Sequence, residues 1–236
     1  MYTYMRTITS GPVIEVEYYQ SIRKRDKKNV ARGTRKTLSS EKQQKANEYN
    51  GIKRTQRMLL ENFKSGDWWV KFGFKNPVTE EEADRFINNF LRRYKYYLEK
   101  QGKEFKYVGM MECGEKNSNW HLHLVIEKSD FDLLQRLWGN GGVYVTQLYS
   151  EGNFYELAKY IRKTVGGKKR LKQSRNLRKP KVDVKEVKKR EVKKLERGEM
   201  IPVPKGYYLV EDHFTENEFT GAKYNFVFCK IDNRIN

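Results

Sequence analysis

Apolar residues recur along the middle of this chain with a period that switches between two and about 3.6, the signatures of strands and amphipathic helices. Trp68-Trp69-Val70-Lys71-Phe72-Gly73-Phe74 follows a Gly66-Asp67 break and reads as a strand. Thr79 and Glu82 form a capping box, and Ala83, Phe86, Ile87, Phe90, Leu91, Tyr94 and Leu98 fall near one face, which predicts a helix to about Lys100. Phe105 to Cys113 reads as a second strand, Gly114 to Asn119 as a turn, and Trp120 to Ile126 as a third strand. Ser129-Asp130 opens a helix through Leu133, Leu134 and Leu137, ended by Gly139-Asn140-Gly141-Gly142. Val143 to Leu148 is a fourth strand, and Asn153 to about Val165 a further helix closed by Gly166-Gly167. The order strand, helix, strand, strand, helix, strand predicts an α+β fold of the ferredoxin-like or RRM-like kind (βαββαβ). Such a sheet is antiparallel, with helices on one face and the other face free for ligands.

The flanks are less periodic. Val13 to Tyr19 is a short β-like run, and Gln43 to Phe63 places Ile52, Thr55, Met58, Leu59 and Phe63 near one helix face. Asp183 to Arg197 alternates in charge sign, as an exposed helix would. Tyr207 to Val210 and Tyr224 to Phe228 are β-like and suit either a small hairpin or an addition to the main sheet. The expected organisation is a basic N-terminal extension (1–57), a central domain (58–180), and a basic helix with a C-terminal β extension (181–236) packed on the same domain.

Charge changes this picture from a bare fold to a class of partner. The chain carries 49 Lys and Arg against 30 Asp and Glu, a net +19. Residues 21–57 hold thirteen Lys or Arg against three acids, and residues 162–197 hold seventeen against four. An excess of this size points to a polyanion, with nucleic acid as the default. No apolar run approaches the roughly 18 residues of a spanning helix, so no membrane partner is expected. The N-terminus has no apolar signal core, and two cysteines without a CxxC fit a reduced cytoplasm better than a disulfide framework or a zinc ribbon. Aromatics make up 14% of the chain. Most are expected in the core, and some are available to stack on bases.

Two of the three histidines sit together, in Trp120-His121-Leu122-His123-Leu124. Period two puts His121 and His123 on one face of a strand. Glu112 lies one hairpin upstream, and neighbouring strands are about 4.8 Å apart, so its carboxylate can reach an ion held by the two imidazoles. This mixed N/O set suits Mn²⁺ or Mg²⁺. A sheet surface with two half-exposed histidines and an ordinary carboxylate fits the same pattern. Glu115, in the turn, and Glu127, on the histidine face, are weaker substitutes for Glu112.

On the helix that follows, Phe154, Leu157, Ala158, Ile161 and Val165 make an apolar stripe. Glu156, Tyr160 and Lys163 fall on the opposite side, with Lys159 beside them. A tyrosine flanked by cations and a carboxylate is a candidate nucleophile, although a free phenol titrates near pH 10 and needs help to act at neutral pH.

Glu112 with His121-Leu122-His123, and Tyr160-Ile161-Arg162-Lys163 some forty residues later, together resemble the HUH endonucleases. More specifically, the pattern resembles rolling-circle replication initiators (Rep proteins) of small plasmids and phages. Trp68 to Phe74 resembles the family's first strand motif less closely, because threonines common there are absent. The resemblance spans roughly residues 58–180. It implies a nickase that cuts single-stranded or hairpin origin DNA through a 5′-phosphotyrosine, leaving a free 3′-OH. Mn²⁺ or Mg²⁺ would be held by His121, His123 and Glu112. Tyr160 would be the nucleophile, and Lys163 would position phosphate or the metal site and lower the phenol's pKa. Glu156 stands one turn before Tyr160, where some initiators have a second tyrosine. One group of plasmid initiators pairs a single tyrosine with a glutamate at this spacing, which makes Glu156 the general base of termination. Lys159, Arg162, Lys168, Lys169, Arg170, Arg175, Arg178 and Lys179 would grip DNA electrostatically. With no phosphate-binding GxxxxGK[ST] loop in the sequence, unwinding would fall to a host helicase and synthesis to a host polymerase. A conjugative relaxase or a transposase of the same superfamily is the alternative within the class. A non-catalytic RRM-like nucleic-acid-binding module is the alternative outside it.

Overall fold

A computed structural model describes residues 1–22, 24, 41–114, 119–148, 153–163, 170–217 and 221–231. In chain order the elements are β1 (Tyr2–Ser10), β2 (Val13–Ser21), α1 (Glu41–Asn62), β3 (Trp68–Gly73), α2 (Glu80–Lys100), β4 (Tyr107–Cys113) and β5 (Trp120–Ile126). There follow α3 (Phe131–Trp138), β6 (Val143–Gln147), α4 (Tyr155–Arg162), β7 (Leu171–Gln173), β8 (Lys181–Glu186), α5 (Lys189–Glu196), β9 (Tyr207–Asn217) and β10 (Gly221–Lys230). The fold is α+β, with two five-stranded antiparallel sheets. The chain divides into two compact units, Lys42–Arg178 and the pair of segments Met1–Glu41 with Lys179–Asn236. The divisions therefore fall at 41/42 and 178/179, and the two end segments share one unit. No described helix is long and apolar enough to cross a membrane.

In Lys42–Arg178 the strand order is β6-β3-β5-β4-β7. Two helices cover one face. α2 starts on the capping box foreseen from the sequence, with the Thr79 side chain accepting from Glu82 N and the Glu82 side chain accepting from Thr79 N. Its buried stripe is Ala83, Ile87, Phe90, Leu91, Tyr94 and Leu98. α3 is capped by Asp130, whose Oδ1 accepts from Leu133 N at 3.1 Å, and it ends on Gly139 at φ 62. Trp138 at its end is fully buried against Phe72, Phe74 and Phe90, and its indole donates to Gly73 O at 2.9 Å. These rings and the inward residues Val70, Leu122, Leu124 and Ile126 form the larger core.

The other face is not bare, which corrects the expectation of a free sheet surface. α1 and α4 pack there, with Ile52, Leu59, Ala158 and Ile161 clustering on Val108 and Val125. Each presents an apolar stripe that only this face can bury. Asp67 ties the edge together: its carboxylate accepts from Lys64 N at 2.8 Å and Lys128 N at 3.2 Å, while its carbonyl accepts from Leu148 N at 2.7 Å.

The second unit has strand order β8-β1-β2-β10-β9. Val16, Leu195, Phe226 and Phe228 form its core, with a bulge between Val227 and Phe228. Asp183 to Arg197 is not one helix. Lys181–Glu186 is an edge strand paired with β1, and the helix covers only Lys189–Glu196. The alternating charges that look helical also suit a strand with exposed faces, and pairing with a distant strand decides between them. Tyr207–Val210 and Tyr224–Phe228 lie in the β9–β10 hairpin, which joins β2 rather than the sheet of the other unit.

One close approach fixes the strand that carries the histidines. A Cβ on Gly109 of β4 would lie 1.8 Å from the His123 carbonyl oxygen. Gly109→Ala should therefore force β4 from β5 and cost more than about 3 kcal/mol. Gly73→Ala, whose nearest neighbour is 3.9 Å away, serves as the control and should cost little. Urea unfolding of the two variants checks this, and equal stabilities would refute the close approach.

Candidate functional site

Strand alternation sets polar side chains in rows on the face that α1 and α4 share. Tyr144, Lys71, His123 and Met110 face one another across β6, β3, β5 and β4. Gly73, His121 and Glu112 form the next row. Glu112 thus stands directly opposite His121, where a carboxylate and imidazole on paired strands meet. The turn joining β4 to β5 is closed by Gly114 N donating to Asn119 O at 2.9 Å. A side chain at Gly114 would come within 2.8 Å of His121 Cε1, so glycine leaves space for the imidazole.

The nucleophile candidate arrives from α4. Gln56 of α1 donates to Asn153 O at 2.7 Å, and Asn153 Oδ1 accepts from Tyr155 N at 2.9 Å, which fixes the start of that helix. Ala158 and Ile161 face down into the cluster, so Tyr160 and Lys163 come to Glu112. Tyr160 Oη donates to Glu112 Oε2 at 2.6 Å, and Lys163 Nζ donates to Oε1 at 2.7 Å. His123 Nε2 is 3.6 Å from Glu112 Oε2. Trp69 stacks on His123 at 5.2 Å between ring centres and meets Tyr160 edge-on at 6.0 Å. His123 lies 5.6 Å from both His121 and Tyr160 by ring centres.

Electrostatics follow from this packing. His123 is only 6% exposed, and burial pushes its pKa down to about 4 against the pull of Glu112. Its Nδ1 is buried without a hydrogen-bond partner. Burial also lowers His121, and nearby Lys71 adds to the effect. Both imidazoles are therefore neutral near pH 7. Burial alone would raise the Glu112 carboxyl, but the hydrogen bonds from Lys163 and Tyr160 outweigh it and hold Glu112 below the usual range. Burial, and then the bond to Glu112 with its charge, raise the Tyr160 phenol well above its ordinary value. The expectation that Lys163 lowers the phenol's pKa does not hold in this arrangement. Lys163 directs its charge at Glu112, and the ionised carboxylate stabilises the protonated phenol.

The remaining expected site residues fall in different places. Glu156 has an 81% exposed side chain and pairs with Lys159 at 3.7 Å. Arg162 lies against Gly51 of α1. Arg170 is bonded through both guanidinium amines to Glu80 and sits 4.8 Å over the Trp120 ring, so it serves the fold. Arg175 and Arg178 are exposed, with Arg178 Nη2 donating to Glu61 O at 3.3 Å. Lys179 is exposed in the other unit. Lys168, Lys169 and Glu115 lie outside the described residues. Glu127 is drawn to Lys106, 3.9 Å away. Among the described residues, no three of His, Cys, Asp and Glu are gathered as a ready metal cage. Trp69, Lys71 and Gln56 are site residues that motif reading passes over. The signal for the first two is parity, since they share the odd positions of β3 once it is paired with the histidine strand.

The neutral His123 generates a pH prediction. Its unfolded pKa is about 6.5 and its folded pKa about 4, so the unfolded chain binds the proton first as pH falls. Stability should fall from pH 6.5 to pH 4, by at most about 3 kcal/mol from this group. Glu112 contributes only below the ordinary carboxylate range. Urea midpoints in chelator at pH 7 and 4.5 should differ more for the wild type than for His123→Gln. Equal differences would show that His123 is not held neutral by the fold.

The segment that carries this geometry has a counterpart among known proteins. Residues 67–165 match the family described as Replication-associated protein, of the ORF2 type. The matched stretch is under half of the chain, and it carries Glu112, His121, His123, Tyr160 and Lys163. No curated protein and no solved structure matches the chain significantly. The similarity links the site-bearing segment to DNA replication and is consistent with a rolling-circle Rep-type protein.

Proposed function

We propose that this protein is a rolling-circle replication initiator that nicks and rejoins single-stranded origin DNA through Tyr160. The observation that carries the reading is the convergence on Glu112: a phenol and an ammonium from α4 meet a carboxylate that stands opposite His121. Those groups are far apart in sequence, and a surface tyrosine with ordinary neighbours has no need of them. Two further points support it. The order β6-β3-β5-β4 is the order of a split βαβ sheet of ferredoxin-like type. The segment resembling replication-associated proteins holds the whole constellation.

In this reading the Tyr160 Oη–phosphorus bond forms and the phosphorus–O3′ bond breaks, leaving a 5′-phosphotyrosine and a 3′ hydroxyl. The phenol is protonated in the present arrangement, so its proton must pass to a neighbour, and Glu112 Oε2 at 2.6 Å is the acceptor in place. Lys163 holds Glu112 ionised and supplies a cation beside the reacting group. His121, His123 and Glu112 fit a hard divalent ion, Mn²⁺ or Mg²⁺, since two neutral imidazoles and a carboxylate make a mixed N/O donor set and His123 Nδ1 lacks a partner. When bound, such an ion polarises the scissile phosphate and offsets charge on the transition state. Lys159, Arg175 and Arg178 are the exposed cations best placed to grip the backbone, since Arg162 and Arg170 are engaged within the protein. Glu156, open to solvent one turn before Tyr160, would activate water for the terminating hydrolysis.

Incubation with a hairpin oligonucleotide from the source replicon and Mn²⁺ should give a covalent protein–DNA adduct. Tyr160→Phe should lose it by at least about three orders of magnitude. An adduct that survives in Tyr160→Phe would sink the assignment. Glu156→Ala should leave adduct formation intact and let the adduct persist. If nicking instead falls as far as in Tyr160→Phe, Glu156 is not the termination base.

A further inference from the structure

Beside Trp69, on the same side of the sheet as Tyr160, lies a cleft of about 290 Å³. Its walls are mainly apolar, made by Trp69, Leu148, Phe154, Tyr155 and Leu157, and Glu156 stands at its rim. Two observations set it apart from a packing gap. Trp69 is a wall shared with the site, because the same indole touches His123 and Tyr160. Phe154, another wall, is held at φ 55, and among the described residues it is the only non-glycine with positive φ. A side chain with a Cβ disfavours that conformation, and glycine would relieve it. The backbone around Phe154 is nonetheless pinned, by Gln56 on the Asn153 carbonyl and by Asn153 Oδ1 on Tyr155 N. Strain retained next to reacting groups points to what the side chain does there.

We propose that this cleft is a stacking subsite for one unpaired nucleobase flanking the phosphate that Tyr160 attacks. The proposal rests on the reading of Tyr160 as a DNA nucleophile. The occupant follows from the chemistry of the walls. Aromatic and aliphatic surfaces take the flat face of a heterocycle, and the Glu156 carboxylate at the rim repels a phosphate from the interior. Lys71, Lys159 and Lys163 lie outside the cleft, where a strand's phosphates would run. The volume is at the lower end of small-molecule sites, room for one base and not for a stacked pair. A base in a duplex has its faces covered, so the cleft selects single strands. With few polar groups in the wall, it accepts any base by stacking.

Phe154→Gly tests this, because it removes the ring while easing the backbone. Fluorescence anisotropy in EDTA, on a Tyr160→Phe background so that no chemistry intervenes, would compare a 12-nucleotide oligothymidine with a 12-mer of abasic sugar-phosphates of equal charge. The wild-type cleft should favour the oligothymidine, and Phe154→Gly should cut that preference by roughly 5- to 150-fold. Affinity for the abasic strand should not change, and the thermal midpoint should stay level or rise. An undiminished preference would overturn the proposal, as would a fall in thermal midpoint that accompanies an equal loss for both strands, which would mark Phe154 as purely structural. Failure of the nickase reading would show separately, as the absence of a covalent adduct from the wild-type protein with hairpin DNA.

Discussion

The ionised Glu112 carboxylate is the constraint on which this site is built. It sits in the middle of a sheet, where burial pushes a carboxyl toward its neutral form. Two donors from α4 reverse that tendency. Hydrogen bonds to a charged group contribute about 1.5–3 kcal/mol when buried and less when half-open to water, as the Lys163 side chain is. The carboxylate therefore does two things at once. It anchors the end of α4 on the sheet, and it keeps the Tyr160 phenol in its acidic form. A state in which the nucleophile is protonated and hydrogen-bonded is a resting state, and leaving it requires the bond to Glu112 to be exchanged for another partner.

The two faces of the sheet divide the work. One is dry, filled by Trp138 and its ring of phenylalanines and closed by two capped helices. A packed core of this kind does not yield to small displacements, so the strands carry His121, His123 and Glu112 as fixed points. The other face is partly covered by α1 and α4, and what they leave open is polar. The cations there have a double effect. Lys71 and Lys163 help to keep both imidazoles neutral, and they also favour a polyanion over a neutral ligand.

Much of this was legible in the sequence because it is local. The capping box at Thr79, the Asp130 cap, the α2 stripe and the parity of His121 and His123 depend on residues within a few positions of each other. Glu112 was legible because a short hairpin sets the register, and that register puts it opposite His121. What escaped depends on distant pairing. Tyr2–Ser10 and Lys181–Glu186 become strands because they find each other across most of the chain, and neither has the apolar alternation of a buried strand. Likewise the apolar stripes of α1 and α4 announce that they pack, but not on which face, so the sheet surface looked emptier than it is. Trp69 reads as one more core aromatic until β3 is paired with β5, which turns it toward His123.

Net charge, by contrast, overstated the interface. The stretch after α4 looked like a continuous DNA grip, yet Arg170 is committed to Glu80 and Trp120, and Lys172 to Asp84. These side chains hold β7 to α2 rather than a ligand. An arginine paired with a carboxylate and laid on a ring has its charge offset and most of its surface covered, so it adds little to affinity for phosphate. The cations that count for binding are those left unneutralised, and their number sets the salt dependence. A basic composition therefore identifies the kind of partner, while the ion pairs decide which residues can meet it.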